Sequence, residues 1–246
     1  MSTAGDWAPV QRLRTHEQVM LQIEERILSG LLKPGDHLPS ERDLSTLLGV
    51  SRASLRESLR VLESLGIIEI RRGGGTDGGA VLVMEPGPGL VNLLRLQLAL
   101  GHFSQTDVLE TRIALESWSL AEAAVRATDE DHRELESILD RMDSPDIETP
   151  EFNRLDAAFH VKIAESTGNA LTAHLMGSLR VAINRQMIDA YARLENWREN
   201  AKAVRAQHRE MLGALRERES ERAVQIVRDH INEFYKLGNV IQVDPG

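Results

Sequence analysis

Four side chains able to hold a metal ion recur in the C-terminal half of this 246-residue chain: Asp156 and His160 in RLDAAFHVKIAESTGN, His208 in VRAQHREMLGAL and His230 in AVQIVRDHINEF. Asp156 and His160 stand at i and i+4, so one helix would present both from one face. Phe152, Phe159 and Ile163 flank that face; Val204, Met211 and Leu215 share a stripe with His208, and Ile226, Val227 and Phe234 with His230. All four groups are therefore expected to point inward. A carboxylate in an apolar interior is costly unless its charge is compensated, and a divalent ion shared with imidazoles is an efficient compensator. Taken singly, each histidine would read as a hydrogen-bonded core residue, and a nearby arginine could satisfy Asp156; the coincidence of four points to a metal. Nitrogen and oxygen donors suit several ions, zinc first, with manganese or nickel as alternatives. His16, His37, His102, His132 and His174 lack such company and read as surface or capping residues.

Arg112, in VLETRIALESWSLAEAA, sits one turn after Val108 and one before Glu116. It could form a helix-surface ion pair with Glu116, or present a guanidinium fork to a carboxylate ligand beside the ion. Three histidines and an acid could also leave coordination sites open for water, as in a helical metalloenzyme. There is no H-E-x-x-H, and Glu165, five residues past His160, falls on another side of the helix. A third option is a purely structural ion.

A second group of residues is basic. Ser40 is a good N-cap for a short helix from Glu41 to Leu48, with Leu44 and the Leu47/Leu48 pair inward, which Gly49 ends. Ser51 caps the next helix, which carries Arg52 and Arg56 one turn apart on one face and Leu55, Leu59 and Leu62 on another. A helix with basic, polar residues at its N-terminus matches the way a recognition helix enters the major groove. Next, Leu65–Val83 reads as a hairpin with a Gly-rich tip and Arg71 and Arg72 at its base, the wing of a winged helix-turn-helix. The other reading is a solvated surface hairpin.

The supporting elements follow from periodicity. Val19, Ile23, Ile27 and Leu28 mark an amphipathic first helix, prolines and glycines alternate over Met84–Gly89, and an apolar helix runs from Leu90 to Leu100. Beyond that, helical periods fall near 106–126, 129–142, 150–167, 169–192, 196–218 and 219–238, with Gly168-Asn169 ending one helix and capping the next. The expected fold is mostly α: a winged helix-turn-helix at 16–85, a linker and connecting helix at 86–105, an all-α antiparallel bundle at 106–238, and tails at 1–15 and 239–246. With no cysteine, disulfides and thiolate metal sites are excluded. No signal-type h-region and no run of about 18 apolar residues occurs, so a cytoplasmic protein is expected. Net charge is −9, and residues 1–85 hold ten Lys or Arg against twelve Asp or Glu, so DNA binding would rest on a few placed contacts and weaken strongly with salt.

The segment LPSERDLSTLLGVSRASLRESLRVLESLGIIEIRRGGGT resembles the DNA-binding domain of GntR-family regulators. That resemblance implies that Arg42, Ser51, Arg52, Ser54 and Arg56 contact operator DNA and that the wing tip at Arg72-Gly73 enters the minor groove. The Asp156, His160, His208 and His230 spacing, D-x3-H followed by intervals of 48 and 22 residues, is similar to the metal site of the FCD ligand domain in the FadR subfamily. There the acid and three histidines bind Zn²⁺, Mn²⁺ or Ni²⁺, and an arginine at the Arg112 position faces the effector. The resemblance spans residues 16 to 238, and DVLETRIALESWS, RMDSPD, RLDAAFHVKI and LENWRENA look most similar to actinobacterial L-lactate-responsive repressors. It implies a homodimeric repressor on double-stranded operator DNA, released by a small carboxylate such as L-lactate. Dimerisation is also expected because one short helix reads too few base pairs to be specific.

Overall fold

The computed structural model describes residues 14–71, 79–193 and 196–237. The chain divides into two compact units, 1–90 and 91–246.

In the first unit, α1 (Thr15–Leu28), α2 (Glu41–Leu48) and α3 (Arg52–Ser64) are followed by β1 (Ile68–Arg71) and β2 (Gly79–Leu82). The local signals operate as expected. The Ser40 hydroxyl accepts from the Asp43 amide and Gly49 takes the left-handed conformation at φ 65°, so α2 stops after eight residues. Ser51 accepts from the Ser54 amide and starts α3. Val19, Ile23, Leu44, Leu55, Leu59, Leu62, Ile68 and Leu82 make one core. Within the Leu47/Leu48 pair only Leu48 packs against it; Leu47 is 72% exposed, and so is Leu28 at 80%, because each lies about a quarter-turn beyond its helix's core-facing stripe. β1 and β2 pair antiparallel with Ile68 opposite Leu82, and His37 bridges to Val81, adding a third short segment to the hairpin. The wing tip, 72–78, lies outside the described residues, and with it Arg72 and Gly73.

The Pro-Gly run after the hairpin is a packed crossing. A Cβ on Gly87 would lie 2.9 Å from the Gly66 Cα, and one on Gly89 only 2.3 Å from the Leu65 carbonyl oxygen. Glycine is needed at both places because two stretches of backbone touch.

The second unit is helical among its described residues: α4 (Gly89–Ala99) runs into it from the crossing, then α5 (Gln105–Arg126), α6 (Asp129–Met142), α7 (Thr149–Glu165), α8 (Ala170–Arg193), α9 (Trp197–Arg216) and α10 (Ser220–Leu237). Capping boxes at Ser104/Asp107 and Thr128/Asp131 start α5 and α6. Gly168, at φ 72°, closes the α7 exit, and the Asn169 side chain accepts from the Thr172 amide at 3.1 Å to open α8. α5 is the hub, packing against α7, α8, α9 and α10, and so lies in the middle of the bundle. That position explains why a helix bearing Arg112, Glu116, Ser117 and Ser119 buries all four.

Candidate metal centre and nucleic-acid interface

Asp156 and His160 on α7, His208 on α9 and His230 on α10 are all buried, and one ligand atom from each lies within 4.8 Å of the others. Their remaining atoms are held so that lone pairs converge. His160 Nδ1 is 2.7 Å from Glu116 Oε2, so the proton sits on Nδ1 and Nε2 is left as an acceptor. His230 Nδ1 is 2.8 Å from Gln207 Oε1, and the Gln207 amide nitrogen donates to Glu233, which fixes the amide's orientation and puts the His230 proton on Nδ1. Asp156 gives Oδ2 to Arg180 at 3.0 Å and keeps Oδ1 free, 3.4 Å from His208 Nε2. That last contact is within ion-pair distance but lacks hydrogen-bond geometry, since both atoms count as unpartnered.

Asp156 Oδ1, His160 Nε2 and both His208 ring nitrogens are thus buried with no hydrogen-bond partner. Each such atom costs about 1–3 kcal/mol, and four in one place are hard to reconcile with a finished core. A divalent cation fits this donor set, with carboxylate and amide partners holding two of the imidazoles from behind, as metal-binding histidines usually are held.

The electrostatics agree with neutral imidazoles. Burial pushes His208 down to about 3, against the pull of Asp156. Burial also lowers His160, helped by Arg180, and holds His230 well below its ordinary range, helped by His208 and His160. The His160–Glu116 contact is therefore a hydrogen bond from a neutral ring. Burial alone would raise Glu116 and Asp156, but Arg180 and His160 outweigh it, with Arg112 also acting on Glu116, and both carboxyls stay below their usual values.

Arg112 does not form the surface pair that its spacing allows. It is 1% exposed; its Nε donates to Glu116 Oε1 at 3.0 Å, NH1 meets Met187 Sδ at 3.6 Å, and the guanidinium lies 5.5 Å from the Tyr235 ring centre. Two residues that periodicity did not single out complete the cluster. Arg180 on α8 donates NH2 to both Glu116 oxygens at 3.0 Å and NH1 to Asp156, so Glu116 joins both arginines to His160. A charged residue on the stripe of Met176, Ile183 and Met187 was the available signal for Arg180. Glu165 is exposed, away from the cluster.

On the first unit, Arg52 and Arg56 project together from the start of α3. Their shared partner is Glu41 Oε2, at 3.7 and 2.7 Å, and both side chains remain more than half exposed. Arg42 lies beside Asp43 and is 83% exposed. The Ser51 and Ser54 hydroxyls are 3.0 Å apart at the helix start. Glu41 is a further residue missed from the sequence, because nothing local links it to a partner fifteen residues on.

Residues 15–77 match the family described as bacterial regulatory proteins, gntR family, and residues 107–233 match the FCD domain. The chain belongs to the GntR family and carries an FCD domain. It is similar to the Glc operon transcriptional activator of Escherichia coli, with 29% identity over 233 residues, 93% of this chain and 90% of that one. A regulator of Mycobacterium tuberculosis named only as HTH-type is 34% identical over 69% of this chain and 68% of its own. An E. coli protein provisionally named L-lactate dehydrogenase operon regulatory protein is 33% identical over 66% of this chain and 62% of its own. In fold, a Streptococcus agalactiae GntR structure aligns at TM-score 0.61 and 23% identity, over 90% of this chain and 99% of that one. This GntR-family chain is accordingly a DNA-binding transcriptional regulator and not an enzyme. No helix among the described residues is long and apolar enough to cross a membrane.

Proposed function

We propose that this chain is a homodimeric repressor of a carboxylate catabolic operon, whose ligand domain holds a divalent ion, zinc first, through Asp156, His160, His208 and His230, and a small carboxylate against Arg112. The observation that carries the reading is the convergence of four buried ligands whose open lone pairs face one another. The ion, when bound, supplies a Lewis-acidic site for a carboxylate oxygen. Arg112, with NH1 engaged only by a thioether, supplies donors for the anion. The names of two relatives, one tied to an L-lactate dehydrogenase operon, favour L-lactate as the first effector to test.

At the DNA, the exposed Arg42, Arg52 and Arg56, with Ser51, Ser54, Arg72 and Gly73, form the proposed contact set. Effector binding would disfavour the arrangement that fits two half-sites, with leverage limited to its differential affinity for the two states, typically about 1–3 kcal/mol. A second copy is required by the half-site argument. An apolar groove of about 600 Å³ on the ligand domain, lined by Leu94, Leu98, Phe103, Leu115, Trp118 and Leu175, is a face such a copy could cover.

The test is binding to the DNA upstream of the protein's own operon, titrated with L-lactate and other small carboxylates, for wild type and His208→Ala. Release by one carboxylate in the wild type, lost in the variant, is expected. DNA binding that no carboxylate changes in either protein would leave the ion a structural role. Deleting the gene should raise operon expression; a fall would make the protein an activator, as the Glc operon relative is named.

A further inference from the structure

Among the described residues, the buried side chains that carry a full charge are Arg112, Glu116, Asp156 and Arg180, apart from the three site histidines. All four belong to one network. Arg180 bonds both carboxylates, and Glu116 also takes the Arg112 Nε. Two positive and two negative groups, each at most 4% exposed, already cancel. A histidine that donates a lone pair to a metal is neutral and adds nothing.

A divalent ion entering this balanced pocket brings two charges that no buried side chain offsets. Uncompensated charge in a low-dielectric interior is expensive, and the cost grows as water is excluded. The Asp156 oxygen that faces the ion does not help the count, because its charge is already matched by Arg180. Arg112 points the same way, since a buried guanidinium with a thioether and a ring face among its partners has donors to offer an anion.

We infer that the ion and the effector occupy this site as a charge-matched pair, so that the effector class is a small dianion, a short dicarboxylate, bound between the ion and Arg112. The inference rests on the metal reading of the site. L-Lactate carries one charge and matches the pocket only with a second anion, such as hydroxide, beside it. Because coupling between two ligands is reciprocal, the anion raises affinity for the metal by the same factor as the metal raises affinity for the anion.

The experiment is a zinc titration of the full-length protein against a chromophoric chelator, in a non-coordinating buffer, alone and with saturating L-lactate or malonate, allowing for the zinc that malonate itself binds in solution. Malonate is expected to tighten zinc binding by at least about tenfold, within the usual range of coupling between sites, and by more than L-lactate does. Glu116→Gln, which leaves the pocket one positive charge in excess, should weaken zinc binding without anion and enlarge the malonate effect. Arg180→Gln shifts the count the other way and should shrink it, bringing lactate level with malonate, while Arg180→Lys should keep the wild-type pattern. Zinc binding that is tight without anions and changes by the same factor with both, or with neither, overturns the pairing while leaving the metal site standing. No zinc binding under any condition overturns both. If the Arg180 variants do not fold, the wild type and Glu116→Gln still decide.

Discussion

Arg52 and Arg56 share Glu41 at the surface of one unit, while Arg112 and Arg180 share Glu116 in the interior of the other. The side chains of the first pair are 60% and 54% exposed and those of the second 2% and 3%. An exposed pair contributes about 0–1 kcal/mol, because water and salt compete and two long side chains must be held still. Arg52 and Arg56 can therefore leave Glu41 for a phosphate or a guanine at little cost, which is what a groove-reading helix requires. Losing one partner of a buried pair costs about 3–5 kcal/mol, because an unmatched charge stays behind. The interior cluster is thus suited to register the arrival of another charge, and the surface cluster to exchange partners.

The comparison breaks most visibly at Glu116. Glu116→Ala strands two buried guanidiniums and is expected to destabilise the second unit by about 3–5 kcal/mol, a fall in Tm of roughly 10 °C at the usual 2–4 °C per kcal/mol for a unit of this size. A shift under about 2 °C in thermal denaturation would mean that water reaches the cluster. Acid comes next. The three site histidines have folded values below their unfolded ones, His208 down at about 3, so the unfolded chain binds protons first as pH drops. Stability of the metal-free protein is therefore full above about pH 6.5 and declines as pH falls toward about 3, by on the order of a few kcal/mol. Chemical denaturation at pH 7 and pH 5 reads this, and a flat profile refutes it. Zinc should move the decline to lower pH, because protons must then displace the ion.

The surface pair should respond in the other observable. Arg56→Ala is expected to weaken operator binding by about 1–3 kcal/mol, the worth of a good base contact, with Tm unchanged. Unaltered affinity at 150 mM salt would remove Arg56 from the contact set. The smallest effect belongs to Glu41→Gln. Stability should change by no more than about 1 kcal/mol, and DNA affinity should hold or rise slightly as both arginines lose their competitor. A marked loss of affinity would instead make Glu41 a splint that holds them in place.

Much of this was legible from local chemistry. Ser40, Gly49, Ser51, Gly168 and Asn169 act over three or four residues, and each does in the structure what its type predicts. The four metal-site residues could be found because helical period places each on an apolar stripe, even though three helices supply them. Their partners were not legible, since Arg180 meets Glu116 across 64 residues of sequence and Asp156 across 24, and no spacing encodes such contacts. Leu28 and Leu47 show the opposite limit: a stripe wide enough to admit two neighbouring leucines does not say which one reaches the core. Arg112 looked able to form a solvated pair because its own helix allows it, and only the packing of four helices around α5 removes it from water.

The crossing at Gly66, Gly87 and Gly89 bears on how regulators of this construction exchange parts. The run that looks like a spacer after the hairpin belongs by contact to the DNA-binding unit, since its backbone lies against Leu65 and Gly66. A chimera cut at Pro86 would place foreign side chains where only a hydrogen fits, and the damage would appear in the DNA-binding half rather than at the graft. The workable seam lies after Leu90, where the contacts divide. A recombination event that joined this reading head to a different sensor would have to inherit both glycines along with it.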